Sequence, residues 1–368
     1  MGLLRRTSET IAAAAGRLVG RSGALPAELC WEIRDEAAPV LAVVRPDWYG
    51  VTTSAHNNFP NLLLCPPDYE PLSAAEKILN KGFRTVVFSD VSELFGRIAH
   101  AIKGGAPGTR LLIHYHASFA QNAEPTIRER FKLLVSLARE GVVERAGCAK
   151  AGMAEVLEGM GVPACYVPNR AEPPGPVVHH PARSPRRIGV FVRDIPRKNA
   201  HTQFMAGRMM DNVEIHTNDA PDLSYLPDAL RLVAHRQLPY EEFLRVAGDM
   251  DLNLYVSLSE CYPMVVVESL IRGVPCLTSH THEIFQHDPV LGKALIVSAL
   301  DNPAAIAEQA EQVLADREAL GRRCEAYAQE LNRRAEALLN EFVGFGLYSS
   351  GSGWRVRPSG EGSKDVPS

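Results

Sequence analysis

The chain has 368 residues, 46% of them apolar and 22% charged, with a formal net charge of −4. That length exceeds one comfortable hydrophobic core and implies two domains, while the composition is that of a globular protein. The acidic balance offers no basic field for non-specific nucleic-acid binding, so no nucleic-acid partner is expected. Seven scattered cysteines, none spaced as CxxC, argue against a zinc site or disulfide framework and for a reducing, cytoplasmic location.

The start, "MGLLRRTSETIAAAAGRLVG", has basic residues before an Ala-rich run. Arg17 and the polar Ser8-Glu9-Thr10 spoil a signal-peptide core, and Arg6 stands where a myristoylation motif at Gly2 wants Ser or Thr. An ordinary amphipathic surface helix is the expectation, with a weak peripheral membrane contact as the alternative. No run reaches the about 18 apolar residues of a spanning helix.

Apolar runs then alternate with helical patterns, the signature of a parallel-sheet α/β protein. "PVLAVVRP", "RTVVFSD", "RLLIHYH" and "ACYVPN" read as strands, with helices over "SELFGRIAHAIK" and "IRERFKLLVSLAREG", the latter stopped by Gly141. After the first strand, Gly50 with Thr52, Thr53 and Ser54 reads as a polar, mobile loop. In "RLLIHYH", His114 and His116 share one strand face, with Tyr115 on the other.

"NRAEPPGPVVHHPARSPRR" holds five prolines and no apolar period, which marks a linker. The expected division is 1–175, a linker 176–187, and 188–347, with a disordered tail 348–368 and a last helix that returns to the first domain. Beyond the linker, "RIGVFVRD", "VEIHTN", "LRLVAHR", "DLNLYVSLS", "VPCLTS" and "KALIVS" read as strands, and 303–347 as one long helical region.

In parallel sheets, ligands bind where strand carboxyl ends run into helix starts. "DLNLYVSLS" ends at Glu260; Pro263 suits a first helical turn, and Gly273 with Pro275 marks that helix's end. The N–H groups of Tyr262, Pro263's successor Met264 and Val265 are then available for phosphate oxygens. Glu260 in the loop and Glu268 more than a turn into the helix are acceptors for sugar hydroxyls on either side. "RIGVFVRDIPRKNA" ends a strand near Arg193, with Lys198 five positions on, a pair able to hold one anionic group. The alternative is a solvated basic loop and two solvated glutamates.

At this order and spacing, Arg193-x4-Lys198, "LRLVAHRQLPYEEFLRVAGDMDLNLYVSLSE", Glu260-x7-Glu268 and "GVPCLTS" resemble the nucleotide-sugar half of GT-B glycosyltransferases. The nearest likeness is to the large retaining group with an EX7E motif, the family 4-like enzymes. Cys261 stands where that family usually has Gly after the first Glu, and Arg170 where its "PNG" turn has Gly. The resemblance implies two Rossmann-like domains facing across a cleft and sugar transfer from a nucleotide-diphosphate sugar to a glycan, glycolipid or other hydroxyl acceptor. It gives Arg193 and Lys198 the donor diphosphate, Glu260 the donor sugar and Glu268 the ribose. It carries a donor-sugar contact to His116, with His114 in reserve, and a cleft position to the loop with Gly50, Thr52 and Thr53. No metal or cofactor is expected; Asp249-x-Asp251 reads as a helix-to-strand connection at the sheet's amino end. The rival readings are a non-catalytic sugar-nucleotide-binding protein, another GT-B chemistry such as epimerisation or hydrolysis of the donor, and transfer to bases in DNA.

Overall fold

A computed structural model describes residues 28–344, apart from 173–174, 176, 178–179, 182, 219–220, 226–229 and 237, together with the backbone of 346–350 and 353–357. The readings of the amino-terminal helix and of Gly2 lie outside the described residues, as does most of the proline-rich stretch between 173 and 182.

The chain divides into two compact units. One comprises the described residues of 24–170 and those from Arg333 onward; the other runs from Ala171 to Asn332.

The N-terminal unit is built on a seven-stranded sheet: β1 (Cys30–Ile33), β2 (Val40–Val44), β3 (Asn61–Leu64), β4 (Thr85–Ser89), β5 (Arg110–Tyr115), β6 (Arg145–Cys148) and β7 (Ala164–Tyr166), in the order β1-β3-β2-β4-β5-β6-β7. Only β1 is antiparallel to its neighbour. β2, β4 and β5 read as near-continuous apolar runs because both faces are covered. One face packs Leu41, Val86, Phe88, Leu111 and Tyr115 against Phe95, Ile98 and Leu134 of the helices Glu93–Gly105 and Pro125–Arg139. The other packs Ala42, Val87 and Leu112 against Phe59, Leu339 and Phe342. Phe342 comes from the last helix, Arg317–Val343, whose C-terminal end seats so close to Gly147 that a Cβ there would meet its ring at 2.9 Å. Arg110 fixes that end by donating to the Val343 carbonyl at 2.7 Å.

The C-terminal unit holds a six-stranded, wholly parallel sheet of β8 (Arg186–Gly189), β9 (Val213–Thr217), β10 (Leu232–Ala234), β11 (Leu252–Tyr255), β12 (Cys276–Ser279) and β13 (Ile296–Val297). Its order is β10-β9-β8-β11-β12-β13. Counted within the sheet this is 3-2-1-4-5-6, the Rossmann order, with its reversal between β8 and β11.

Several expectations need correction. Residues 49–58 form a helix, Tyr49–Asn58, and not a mobile loop. Its polar residues face inward: Ser54 bonds Asn169 at 2.5 Å, while Asn57 and Asn58 exchange hydrogen bonds with Arg170. The long helical region breaks at Asp316 into Pro303–Ala315 and Arg317–Val343, and "KALIVS" is mostly the end of helix Pro289–Leu295 followed by a two-residue strand. Within the stretch expected to be a disordered tail, Gly346–Ser350 and Gly353–Arg357 pair as an antiparallel hairpin. Among the described residues no helix is long and apolar enough to cross a membrane.

Candidate functional site

The reversal between β8 and β11 brings together two of the residues that the sequence singles out, Lys198 and Glu260. The two strands lie in register, Ile188 opposite Leu252 and Gly189 opposite Asn253. Gly189 is required there: a Cβ would stand 2.0 Å from the Asn253 side-chain oxygen and 2.4 Å from the Phe191 ring.

After β8 the chain passes through buried Val190, Phe191 and Val192 to an exposed Arg193, then a 3-10 turn at Pro196–Lys198. Asn199 follows in the left-handed region at φ 54°, tolerable for Asn, and donates to the carbonyls of Val256 at 3.1 Å and Leu300 at 2.6 Å. Gln203 donates to Lys198 O at 2.8 Å and accepts from Val256 N at 2.9 Å. Leu258 N donates to Arg197 O at 2.8 Å. These bonds stitch the loop after β8 to the loop after β11, which fixes Lys198 beside Glu260.

Lys198 Nζ donates to Glu260 Oε1 at 2.6 Å and also to the Tyr255 hydroxyl, with the ammonium 4.7 Å from the Tyr255 ring centre. Arg197 brings a second cation to 3.9 Å from the same carboxylate oxygen. Glu260 is only 4% exposed. The Tyr255 phenol is pushed well above its usual range by burial, and next by the Glu260 charge. The pair is thus a buried, charge-compensated unit at a strand carboxyl edge. Arg193 behaves differently: its side chain makes no hydrogen bond or ion pair with another described residue. No hydrogen bond joins the Arg193 side chain to Lys198.

The helix after Glu260 is Met264–Ile271, so Pro263 is its cap and Met264 its first residue, one position later than the sequence suggested. A proline cap contributes no side-chain hydrogen bond, and none is present. Tyr262 is buried and Val265 half-buried. The Ser257 hydroxyl, fully buried in the same loop, has no hydrogen-bond partner among the described residues.

Glu268 lies in that helix, 2% exposed and not on a solvated face. Burial pushes its carboxyl up to about 7, opposed by a hydrogen bond from the Tyr240 hydroxyl. The folded state therefore holds this proton more tightly than the unfolded chain. Its contribution to stability falls as pH rises from the ordinary 4.5 to about 7, with the full cost present above that. Glu268→Gln is expected to remove this slope and to raise stability at pH 8 by on the order of 2–3 kcal/mol. Urea titrations of both proteins at pH 5 and pH 8 check it: equal slopes with pH would contradict the assignment.

In the N-terminal unit, His114 is the penultimate residue of β5 and fully buried, with Nε2 at 2.9 Å from the Val167 carbonyl. A carbonyl only accepts, so Nε2 carries the proton and Nδ1, which has no hydrogen-bond partner among the described residues, is bare. Burial lowers its pKa to about 4. His116 lies beyond the strand end, its ring 4.2 Å from that of His114, and burial together with the neighbouring ring holds it well below the usual range. Both are neutral at pH 7, and His116 is the less buried of the two. Thr52 spends its hydroxyl on Arg45 O at 2.9 Å and Trp48 O at 3.1 Å, in the turn that leads into the helix; Gly50 is exposed and Thr53 half-buried.

Asp249 and Asp251 do connect a helix to β11. Asp249 pairs with Arg183 at 2.7 Å and with Arg187, and Asp251 accepts from Arg187 N at 2.9 Å and from Arg317. Among the described residues no cluster of His, Cys, Asp or Glu has metal-holding geometry.

Sequence reasoning missed Tyr255, Arg197, Ser257 and Tyr240. Tyr255 alternates with Asn253 in a strand and gives no sign of its hydroxyl's partner; Tyr240 is 28 positions from Glu268 in the chain.

Two Rossmann-like, parallel-dominated sheets in one chain, the second with its reversal at β8 and β11, define a GT-B fold. Solved structures agree. Trehalose-phosphate synthase (UDP-forming) from Burkholderia xenovorans, in complex with glucose-6-phosphate, aligns with a TM-score of 0.59 at 12% identity over 82% of this chain and 99% of that one. Sucrose-phosphate synthase from Thermosynechococcus elongatus gives 0.58 at 12% identity over 82% and 97%. The E. coli trehalose-6-phosphate protein bound with UDP-2-fluoro glucose gives 0.56 at 11% identity over 82% and 98%. No protein-family model matches the sequence, and neither does any curated protein.

Proposed function

We propose that the chain transfers a sugar from a nucleotide-diphosphate sugar to an acceptor hydroxyl with retention of anomeric configuration and without a metal. The observation that carries this reading is the Lys198–Glu260–Tyr255 unit at the sheet's reversal, beside a helix start with no side-chain cap. In a Rossmann-order sheet this is where a ligand's phosphates and sugars bind. Three structures of the same fold are a UDP-forming synthase, a protein bound with a UDP-sugar analogue and a sucrose-phosphate synthase, which supports a donor of this kind.

Under this reading Arg193 binds the diphosphate from the exposed loop, and the N–H groups at Met264 and Val265 bind its other oxygens. Lys198, next to Glu260, stabilises the charge that develops on the leaving diphosphate. Glu260 accepts from donor-sugar hydroxyls, Glu268 from the ribose, and His116 contacts the sugar as a neutral imidazole. Departure of the nucleoside diphosphate breaks the anomeric C–O bond and leaves an oxocarbenium-like centre, which the acceptor hydroxyl attacks from the same face as its proton passes to the leaving diphosphate oxygen. Residues 1–175 serve the acceptor and 188–347 the donor, in the cytoplasm or peripherally at a membrane, with no cofactor beyond the donor.

Arg193→Ala is expected to weaken nucleoside-diphosphate binding by about 1.5–3 kcal/mol, the scale of charge-assisted hydrogen bonds. Because the side chain has no described partner, stability should not change. Calorimetric titration together with thermal melting checks both halves; unchanged affinity would remove the donor assignment. The reaction itself is tested by incubating the protein with the donor it binds and an acceptor panel in excess chelator. Product NMR should show the donor's anomeric configuration retained. Binding with no transfer to any acceptor and no donor turnover would favour the non-catalytic sugar-nucleotide-binding alternative.

A further inference from the structure

The transferase reading uses the carboxyl end of the C-terminal sheet and gives its amino end no role. There, within the C-terminal unit, lies a cavity of about 250 Å³ lined by Arg183, Arg186 and Arg317, by Asp251 and Glu311, and by Leu314. Arg186 opens β8 and Asp251 precedes β11, so the cavity sits at the starts of the two strands whose far ends lead to Lys198 and Glu260. Glu311 and Leu314 come from the end of helix Pro303–Ala315, and Arg317 from the start of helix Arg317–Val343. The volume falls below the about 300 Å³ at which pockets for drug-sized ligands begin, and so fits a small ligand.

Each arginine is fixed by a partner. Arg183 donates to the Asp249 carbonyl at 2.8 Å and to its carboxylate at 2.7 Å. Arg317 donates to the Asp251 carboxylate and to the His180 carbonyl at 2.6 Å. Arg186 grips both carboxylate oxygens of Glu311, at 2.5 Å and 2.8 Å, and also donates to the Asp211 carbonyl. A guanidinium has five N–H donors, so two bonds each to described residues leave Arg183 and Arg317 with donors to spare. The three side chains stay partly exposed, Arg317 at 18%, Arg183 at 21% and Arg186 at 25%.

The carboxylates differ in how firmly they are held. Asp251 is 3% exposed and accepts from the Arg187 N–H at 2.9 Å as well as from Arg317. Glu311 is 42% exposed, and among the described residues its hydrogen bonds run to Arg186 alone. An exposed pair of this kind contributes little stability, so Glu311 can leave the Arg186 fork at small cost. Asp251 and the exposed Asp211 also act on Arg186, after Glu311. A singly charged anion gains little against them. A phosphate group brings about two charges and three strong acceptor oxygens, as many as there are guanidiniums. We propose that this amino-end cavity binds a phosphate group, free or on a small molecule, with Arg183, Arg186 and Arg317 as its donors and Glu311 as the carboxylate that it displaces. The site lies at the opposite end of the sheet from the donor site and does not rest on the transferase reading.

Calorimetric titration of the full chain at fixed ionic strength tests this, with inorganic phosphate, glycerol phosphate, glycerol and acetate. The native chain is compared with Arg186→Gln, Glu311→Gln and Arg193→Ala. Phosphate or its ester should bind saturably, and glycerol and acetate should not. Tighter binding of inorganic phosphate identifies the free ion as the occupant, tighter binding of glycerol phosphate identifies an ester, and equal binding shows that the phosphate group alone is read. Arg186→Gln should weaken binding about tenfold or more, the loss of a charge-assisted contact, and Glu311→Gln should tighten it about threefold or more by loosening the hold on Arg186. Arg193→Ala should leave it unchanged. Should Arg186→Gln fail to fold, Arg183→Gln takes its place and should weaken binding likewise. Five results would each overturn the proposal: no binding of either phosphate, equal binding of acetate, weaker binding in Glu311→Gln, binding lost in Arg193→Ala yet kept in Arg186→Gln, or binding that every variant leaves unchanged, the mark of an adventitious ion only.

Discussion

Lys198→Ala is expected to lower the free energy of unfolding by about 3–5 kcal/mol, far more than the loss of an ordinary basic loop residue. The reason is its partner. Glu260 is 4% exposed, and Lys198 is the cation within hydrogen-bonding distance, at 2.6 Å; Arg197 stands off at 3.9 Å. Truncating the lysine leaves a buried carboxylate and the Tyr255 hydroxyl facing each other without the ammonium between them. Urea unfolding measures this, and a second variant separates the charge effect from lost packing. Lys198→Met with Glu260→Gln removes both charges at similar volume and should recover most of the lost stability. If Lys198→Ala unfolds with native stability, the pair is not the structural unit described above, and its role in holding the two loops together fails.

The second large effect concerns chemistry. Glu260→Gln keeps the side chain's volume and one acceptor oxygen but removes the charge that orients Lys198. Nucleoside-diphosphate binding should stay within about threefold, because Arg193 and the start of helix Met264–Ile271 do not depend on Glu260. Sugar transfer should fall by about a hundredfold or more, the scale seen when a preorganised electrostatic group is lost. Comparing nucleotide affinity with the rate of product formation in one preparation gives both numbers. Full activity in the variant would end the role given to Glu260; loss of nucleotide affinity would move Glu260 into the diphosphate site.

Much of this was legible in the sequence, for physical reasons that also explain the failures. β2, β4, β5 and β11 are buried on both faces, so their apolar runs stand out at any reading. Lys198 and Glu260 meet because the loops after β8 and β11 leave neighbouring parallel strands at the sheet's reversal, where backbone register holds them. β6, "RAGC", has no β-branched residue, and β1 and β3 are four-residue pieces, so periodicity could not find them. Helix Tyr49–Asn58 looked like a loop because it is polar, yet its polar residues are inside. They are satisfied by Asn169 and Arg170, more than a hundred positions away, which local pattern cannot reveal. The same limit hid the cavity at the C-terminal sheet's amino end: Arg186, Glu311 and Arg317 come from three elements and share no motif. Glu268 shows the intermediate case, a position read correctly within its helix while its burial, and the raised carboxyl that follows, needed the packed structure.

The most direct test of a nucleotide-sugar site at the β8–β11 reversal is a thermal-shift titration of the purified chain with UDP, GDP, ADP, CMP and their sugars. A ligand that binds only the folded state raises the melting temperature by mass action. The account predicts a clear, saturable rise with one nucleotide family and its loss in Arg193→Ala. A flat response across the panel, or a rise that survives Arg193→Ala unchanged, would contradict it.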